Sequence, residues 1–170
     1  EPIDDLCDAN GIVARLLRPG RPYADLVAID LNAVSFYRGR CATDVALRGQ
    51  WQQGSLAVAA IELTERPVTV MGQRFDQGSI MQFEGGAEFD AVVPQGAIWT
   101  LLLLRSSTCC ADLRRLLPGV PRELSSDCRD RLFQMARDLT VSPSATASRL
   151  RARREADAVE RDLVESFAAA

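Results

Sequence analysis

The chain has 170 residues, the length of one compact domain or of one domain with a small appendage. Hydrophobic residues make up 47% of it and charged residues 25%, as in globular proteins rather than in disordered, fibrous or membrane-spanning chains. Its 20 basic and 23 acidic residues leave a net charge of -3. No overall positive field is therefore available to attract nucleic acid phosphates.

Histidine and lysine are both missing from the sequence. Without an imidazole, histidine-ligated metal centres, Ser-His-Asp hydrolases, Cys-His proteases and histidine acid–base catalysis are excluded. Without a lysine, Schiff-base chemistry and the lysine of a phosphate-binding P-loop are excluded as well. We therefore expect a binding protein without a metal or a cofactor rather than an enzyme.

The five cysteines are odd in number and irregularly spaced, which fits neither a disulfide framework nor a zinc site. They are Cys7, Cys41, Cys109, Cys110 and Cys128. The first residues do not have the charge and apolar pattern of a signal peptide, and the longest apolar run, residues 97–104, is far shorter than the ~20 residues of a membrane span. These features predict reduced thiols, a cytoplasmic location and no contact with a membrane.

The first part of the chain divides into a lead-in segment, residues 1–24, and a β domain, residues 25–105. The lead-in contains a loop-forming run at 18–22, preceded by apolar residues that fit either one helical turn or an edge segment. In the β domain, short apolar stretches alternate with turn residues, which predicts a sandwich or small barrel of seven or eight strands. The predicted strands are residues 26–31, 34–38, 45–48, 56–63, 67–71, 79–84, 87–93 and 98–104.

Two features of this β domain give sharper predictions. Gly85 and Gly86, placed between two alternating apolar stretches, predict a two-residue hairpin turn because glycine tolerates the positive φ that such turns need. The stretch 98–104 is apolar on both alternating faces, which is typical of a central strand covered on both sides.

Residues 106–170 shift to a helical composition and predict two or three C-terminal helices, near 110–117, 126–139 and 142–167. In the last helix, Ser142 is a candidate N-cap before Pro143. One narrow apolar seam follows this helix at three- and four-residue steps, and it must be covered either by the β domain or by a second copy of the chain. The seam, our candidate dimer interface, consists of Ala152, Ala156, Val159, Leu163 and Phe167.

Four consecutive stretches carry a resemblance to a known family. Residues 70–74, 78–83, 85–91 and 92–96 read in turn as a glycine-centred turn, a glycine-initiated apolar strand, a Gly-Glu-aromatic hairpin and a Pro-Gly turn, and residues 31–38 look like an early strand pair. In this order they resemble the amino-terminal sensor domain of AraC/XylS-type transcription regulators. The similarity is dense over residues 26–105 and covers the helices in outline.

The resemblance implies an α+β fold, with a cupin-like antiparallel β-roll or barrel followed by helices that pack or dimerise. It implies a homodimer that binds a small effector or a regulatory protein partner, and it assigns DNA binding to helix-turn-helix motifs for which these 170 residues leave no room. Two alternatives stay open. One is a histidine-free cupin isomerase or lyase that uses Glu62 or Glu88 for proton transfer. The other is a cyclic-nucleotide-type sensor, faintly echoed by Arg105-Ser106-Ser107.

Five residues are candidates for ligand binding. Arg38 shares its strand face with Phe36, and Glu62 lies on the repeating face of another strand, so either charge could point inward, unless strand ends or bulges turn them to solvent. An inward Arg38 would suit a carboxylate or phosphate. Trp51, in a turn-rich segment, could line a pocket mouth or a partner surface, whereas Trp99, in the most apolar strand, more naturally packs in the core.

Overall fold

A computed structural model describes residues 12–21, 23–30 and 34–105, together with 122–123, 130, 133–134 and 137–138. Over these residues the chain forms eleven β-strands arranged in two antiparallel sheets. The strands are β1 Val13–Leu16, β2 Tyr23–Asp30, β3 Val34–Cys41, β4 Val45–Gln50, β5 Leu56–Leu63, β6 Val68–Val70, β7 Gln73–Phe75, β8 Ser79–Glu84, β9 Glu88–Val93, β10 Ile98–Leu104 and β11 Arg122–Glu123.

The strand order explains how the core is built. The five-stranded sheet runs β1-β4-β9-β6-β7, and the six-stranded sheet runs β11-β8-β5-β10-β3-β2. Because side chains alternate between the two faces of a strand, each sheet directs every second residue towards the other sheet. Val45, Val70 and Phe89 from the five-stranded sheet join Ile61 and Leu101 from the six-stranded sheet in one buried cluster. The core therefore lies between the sheets.

The central strands of the six-stranded sheet, β3, β5 and β10, are largely buried on both faces. Strand β10 pairs with β3 on one side and with β5 on the other. Its residues Leu101 and Leu103 belong to the core between the sheets. Leu102 and Leu104, which point the opposite way, are both fully buried. The prediction of a central strand covered on both sides is confirmed, and we call the face that carries Leu102 and Leu104 the outer face.

Hydrophobic alternation predicts most strands of the described region correctly. The predictions for 56–63, 79–84 and 98–104 match β5, β8 and β10 at both ends. Strands β3 and β4 extend beyond their predicted stretches, and β2 spans Tyr23–Asp30 where 26–31 was predicted. The apolar residues near position 13 form edge strand β1, paired with β4, rather than a helical turn. Strand β7 was not predicted, since two of its three residues are exposed and polar.

The predicted hairpin at Gly85 and Gly86 is wrong. The flanking strands β8 and β9 belong to different sheets, so the turn is a corner between sheets. Ala87 N donates to Glu84 O at 3.0 Å, and of the two central residues only Gly86 has a positive φ, 85°, as in a type II turn rather than a primed hairpin turn. Gly85 is needed for another reason, because a Cβ there would lie 2.5 Å from the carbonyl oxygen of Gln52.

A two-residue hairpin does occur, at Met71 and Gly72 between β6 and β7. Both residues have positive φ, 49° and 75°, as a type I′ turn requires. The sequence gives little sign of it because methionine has a Cβ that strains this left-handed conformation, whereas Asn-Gly is the usual signal. Met71 Sδ accepts a hydrogen bond from Asp90 N at 3.2 Å, which holds the turn against β9.

We expect Met71→Asn to raise the free energy of unfolding by about 1 kcal/mol, because asparagine adopts a positive φ at lower cost. The change also removes the sulfur contact with Asp90. Met71→Ala serves as the control, since it removes the same contact while keeping the strained backbone. In urea titrations Met71→Asn should have the highest unfolding midpoint of the three proteins. A midpoint at or below that of Met71→Ala would contradict backbone strain at Met71.

The C-terminal helices fall mostly outside the described residues. Asp130, Phe133, Gln134, Arg137 and Asp138 are described, and all five are helical, within the predicted helix 126–139. The predicted helices 110–117 and 142–167, and with them the five residues of the apolar seam, lie outside the described part of the chain. Among the described residues, no helix has the length and hydrophobicity needed to cross a membrane.

Candidate ligand-binding cavity

A cavity of about 90 Å³ lies in the core between the two sheets. Fifteen side chains line it, contributed by strands of both sheets and by the segments that precede β1 and follow β4. All of them are aliphatic or aromatic, or the thioether Met81. Walls of this composition favour apolar ligands.

Two groups of aromatic rings form much of the cavity wall. In the first, Trp51 stacks on Phe89 with ring centroids 4.9 Å apart and an interplanar angle of 17°, and Phe83 lies within 6 Å of both rings. In the second, Tyr23 meets Trp99 edge to face at 5.9 Å. These arrangements match the preferred geometries of aromatic pairs and hold the rings in defined orientations.

Backbone contacts fix both tryptophans in place. Trp51 donates its backbone N–H to Ala87 O at 3.1 Å and accepts from Gly86 N at 2.8 Å, so the corner between the sheets positions the ring. Trp99 lies against Gly39, where an added Cβ would come within 2.7 Å of the indole ring. A glycine on β3 is therefore required for the Trp99 ring to pack where it does.

The two indole N–H groups differ in their partners. The Trp99 side chain forms a hydrogen bond with Cys41, a buried free thiol. Trp51 is only 4% exposed, yet its Nε1 has no hydrogen-bond partner in the described structure. A buried donor without an acceptor costs free energy. The Trp51 N–H is therefore buried without a partner among the described residues, behind the almost wholly apolar surface of the cavity.

Three of the five predicted ligand-binding residues do not line this cavity. Phe36, Arg38 and Glu62 lie on the outer face of the six-stranded sheet, on the other side from Trp99 and Leu101. The predicted sharing of a face by Phe36 and Arg38 is correct, but that face points away from the cavity. Both faces of this sheet are apolar, so strand parity alone does not show which one borders the space between the sheets.

Arg38 and Glu62 bind each other instead. Arg38 Nε donates to Glu62 Oε1 at 2.7 Å, and Arg38 Nη2 donates to Glu62 Oε2 at 2.8 Å, a bidentate pair. The hydrogen bond with Glu62 raises the pKa of Arg38 further. The pair reaches across β10, and the register shift opposite Ile98 leaves Glu62 as the extra residue of a β-bulge. Thr100 faces the same way, and its buried Oγ1 finds no partner among the described residues.

Trp51 and Trp99 are the predicted site residues that the structure brings together at the cavity. Alternation places Met81 and Phe83 on one face of their strand and Phe89 on one face of the next, but it did not identify them as ligand contacts. The alternation of apolar residues along β8 and β9 was the available signal for these lining residues. It does not distinguish a fully packed core from one that contains a cavity. Glu88, named for the enzyme alternative, is exposed, and Arg105, named for the nucleotide alternative, donates to Asp30 at 3.3 Å.

Cys41 gives a pH-dependent prediction. Burial raises the pKa of its thiol from 9.0 to about 11, and the hydrogen bond from Trp99 opposes part of this rise. Between these two pH values the unfolded chain loses the proton while the folded protein keeps it, so stability is complete below pH 9 and falls as the pH rises towards 11. The expected slope is up to about 1.4 kcal/mol per pH unit. Urea titrations from pH 8 to 11 measure it.

The matched control is Cys41→Ala, which keeps the two tyrosines and every arginine that also titrate in alkali. The difference between the stability curves of the native protein and the variant isolates the thiol. Parallel curves over this pH range would contradict the raised pKa.

No family model matches the sequence, and no curated protein matches it. Solved structures do match in fold. The AraC-like transcriptional activator CuxR superposes with a TM-score of 0.61 at 14% identity, over 94% of this chain and 62% of CuxR, so the chain spans less than two thirds of that activator.

Smaller structures match over part of the chain. A cupin domain from Bordetella pertussis gives a TM-score of 0.37 at 15% identity, covering 51% of this chain and 97% of its own. A protein with a cupin-like fold from Ralstonia eutropha gives 0.39 at 14% identity, covering 62% of this chain and 60% of its own. The chain has the antiparallel, β-rich fold that its sequence predicted, and it shares this fold with an AraC-like transcriptional activator.

Proposed function

We propose that this chain is the regulatory domain of an AraC-type transcription regulator, which binds a small effector, dimerises and acts on a DNA-binding domain outside these 170 residues. The observation that carries the proposal is the apolar cavity between the two sheets, with Trp51 and Trp99 in its wall. A likeness in fold to an AraC-like activator supports the same assignment. The role proposed is sensing, in the cytoplasm, rather than catalysis.

The chemistry of the cavity supports binding over turnover. Proton transfer needs a carboxylate, imidazole, amine or similar group within hydrogen-bond reach of the substrate. The described lining has no carboxylate, guanidinium or thiol. Glu62 is bound to Arg38 on the outer face, and Glu88 is exposed. Tyr23 is the one acid–base side chain of the described lining, and no carboxylate lies beside it, so an isomerase or lyase reaction lacks a paired acid and base at this cavity.

The position of the cavity suits a sensor for a second reason. Its wall is shared between the five-stranded and six-stranded sheets, so an occupant contacts both at once. A ligand that binds only the folded, assembled sheets stabilises that state by mass action. Occupancy of the cavity would in this way change the stability of the whole β domain. A regulatory domain needs such a change in order to affect the DNA-binding domain attached to it.

The cavity is tested with cyclopentane as a small apolar probe. At ten times its Kd, the probe should stabilise the native protein by about 1.4 kcal/mol, seen as a rise in Tm. Ala59→Leu, which fills the cavity from β5, should abolish this rise. The matched control Ala28→Leu adds the same side chain at an exposed position of β2 and should keep it. An unchanged Tm for the native protein, or an equal rise in Ala59→Leu, would refute the cavity as a binding site.

Dimerisation is tested separately by sedimentation equilibrium. The predicted apolar seam of the last helix supports this part of the proposal. The native chain should sediment as a dimer, and Leu163→Glu, which puts a charge into the seam, should sediment as a monomer. Arg161→Glu introduces the same side chain outside the seam and should stay dimeric. A monomeric native chain, or a dimer that Leu163→Glu leaves intact, would remove this part of the proposal.

A further inference from the structure

Three of the side chains that line the cavity carry an N–H or O–H group, yet the cavity surface is almost wholly apolar. These side chains are Tyr23, Trp51 and Trp99. The Trp99 side chain forms its hydrogen bond with Cys41, and the Trp51 Nε1 atom is buried behind the cavity surface. The aromatic rings therefore present carbon atoms to an occupant and keep their polar atoms out of its reach.

The backbone around the cavity does not supply a polar contact either. Most of the lining residues lie within paired strands, such as β5 between β8 and β10, and β9 between β4 and β6. In a paired strand the N–H and C=O groups point along the sheet to the neighbouring strands and are taken up by the ladder. Apolar side chains are therefore what the described strands present to the space between the sheets.

An occupant with a polar group would lose hydration without compensation. A carbonyl or hydroxyl group that moves from water to a site without a hydrogen-bond partner costs free energy, and a charged group costs far more. An apolar group gains free energy on the same transfer, in proportion to the surface that it buries. The described wall of the cavity therefore discriminates against oxygenated molecules and in favour of hydrocarbons.

The size of the cavity sets a second limit. An engineered apolar cavity of about 150 Å³ accommodates benzene, which has six carbons. With about 90 Å³, the cavity between the sheets suits a molecule of roughly four to six non-hydrogen atoms. A small ring or a short branched chain has this volume.

We infer that the cavity binds a compact hydrocarbon, such as a small cycloalkane or alkene, and that it excludes oxygenated molecules of the same shape because its described wall offers them no hydrogen bond. This inference rests on the proposed function, because it assigns a ligand class to the same cavity. Specificity then comes from the apolar lining as a whole rather than from one contact. A single polar atom brought into the wall should relax it.

The test compares two rings of nearly the same shape, methylenecyclopentane and cyclopentanone, which differ by an exocyclic methylene group in place of the carbonyl oxygen. Both are volatile, so their Kd values for the native protein follow from headspace gas chromatography above protein solutions. Methylenecyclopentane should bind at least about tenfold more tightly than cyclopentanone. Cyclooctane, a ring too large for this volume, should not bind.

Val93→Thr tests the wall directly, since threonine places a hydroxyl where valine has a methyl group. Val93 lines the cavity and is buried, whereas its neighbour Val92 is 42% exposed on the other face of β9. Val93→Thr should reduce the preference for methylenecyclopentane at least about threefold, because the hydroxyl can donate to the carbonyl oxygen of cyclopentanone. Val92→Thr, the matched control, should leave the preference as it is in the native protein.

The preference of the native protein for methylenecyclopentane is the decisive measurement, because it does not require that any variant fold. A preference below about tenfold, cyclooctane binding as tight as that of methylenecyclopentane, or an equal effect of Val93→Thr and Val92→Thr would overturn the inference while leaving the cavity as a site. Failure of all these probes to bind, cyclopentane included, would refute the proposed function as well.

Discussion

Glu62→Ala is expected to lower the free energy of unfolding by about 3 kcal/mol, as removal of one partner from a buried ion pair generally does. The Glu62 side chain is 5% exposed and that of Arg38 is 22% exposed, so the guanidinium is left with little water to replace the lost carboxylate. The surrounding outer face is formed by fully buried apolar residues such as Phe36 and Leu102. Urea unfolding measures the loss as a lower midpoint at an unchanged m value.

Two further variants separate the unpaired charge from the loss of the pair itself. Arg38→Met combined with Glu62→Leu removes both charges and should restore stability to within about 1 kcal/mol of the native protein, since apolar side chains can replace a buried pair. Arg105→Met, in the exposed pair with Asp30, should cost less than about 1 kcal/mol. If Glu62→Ala were no worse than Arg105→Met, the outer-face pair would have no structural role.

The sequence predicts strands well because their signal is local. Alternation of apolar and polar residues, with turn residues between, locates β5, β8 and β10 to the residue. The pairing of those strands depends on residues far apart in the chain. Strand β8 pairs with β5, and β9 pairs with β4 and β6, so two strands that are separated by three residues do not pair with each other. Turn composition at Gly85 and Gly86 cannot distinguish a hairpin from a corner between sheets.

The candidate site was predictable in part for a related reason. Strand parity correctly groups Arg38 with Phe36 and separates Trp99 from the outer face. Parity does not say which face borders the second sheet, because the central strands are apolar on both. The β-bulge that leaves the backbone of Glu62 without a register partner on β10, next to Ile98, also has no sequence signal. The unpartnered N–H of Trp51 follows from the packing around it, which only the folded structure contains.

Phe36→Ala separates stability from ligand binding. Phe36 is fully buried on the outer face, opposite Leu102 of β10 and Ile29 of β2. Truncation of a phenylalanine in such a position removes its buried surface and leaves a void, which together cost about 4 kcal/mol. The midpoint of urea unfolding should fall accordingly. Phe36→Leu, which keeps much of the volume, should lose less and serves if the alanine variant does not fold.

Ligand binding, in contrast to stability, should hardly change when Phe36 is replaced. Because Phe36 lies across the sheet from the cavity, the Kd of cyclopentane for the folded Phe36 variant should stay within about twofold of the native value, a change of about 0.4 kcal/mol. Phe89→Ala makes the matched comparison, since Phe89 lines the cavity and stacks on Trp51, and it should change that Kd well beyond twofold. If Phe36→Leu altered cyclopentane binding as strongly as Phe89→Ala, the probe would bind at the outer face, and the cavity between the sheets would not be the binding site.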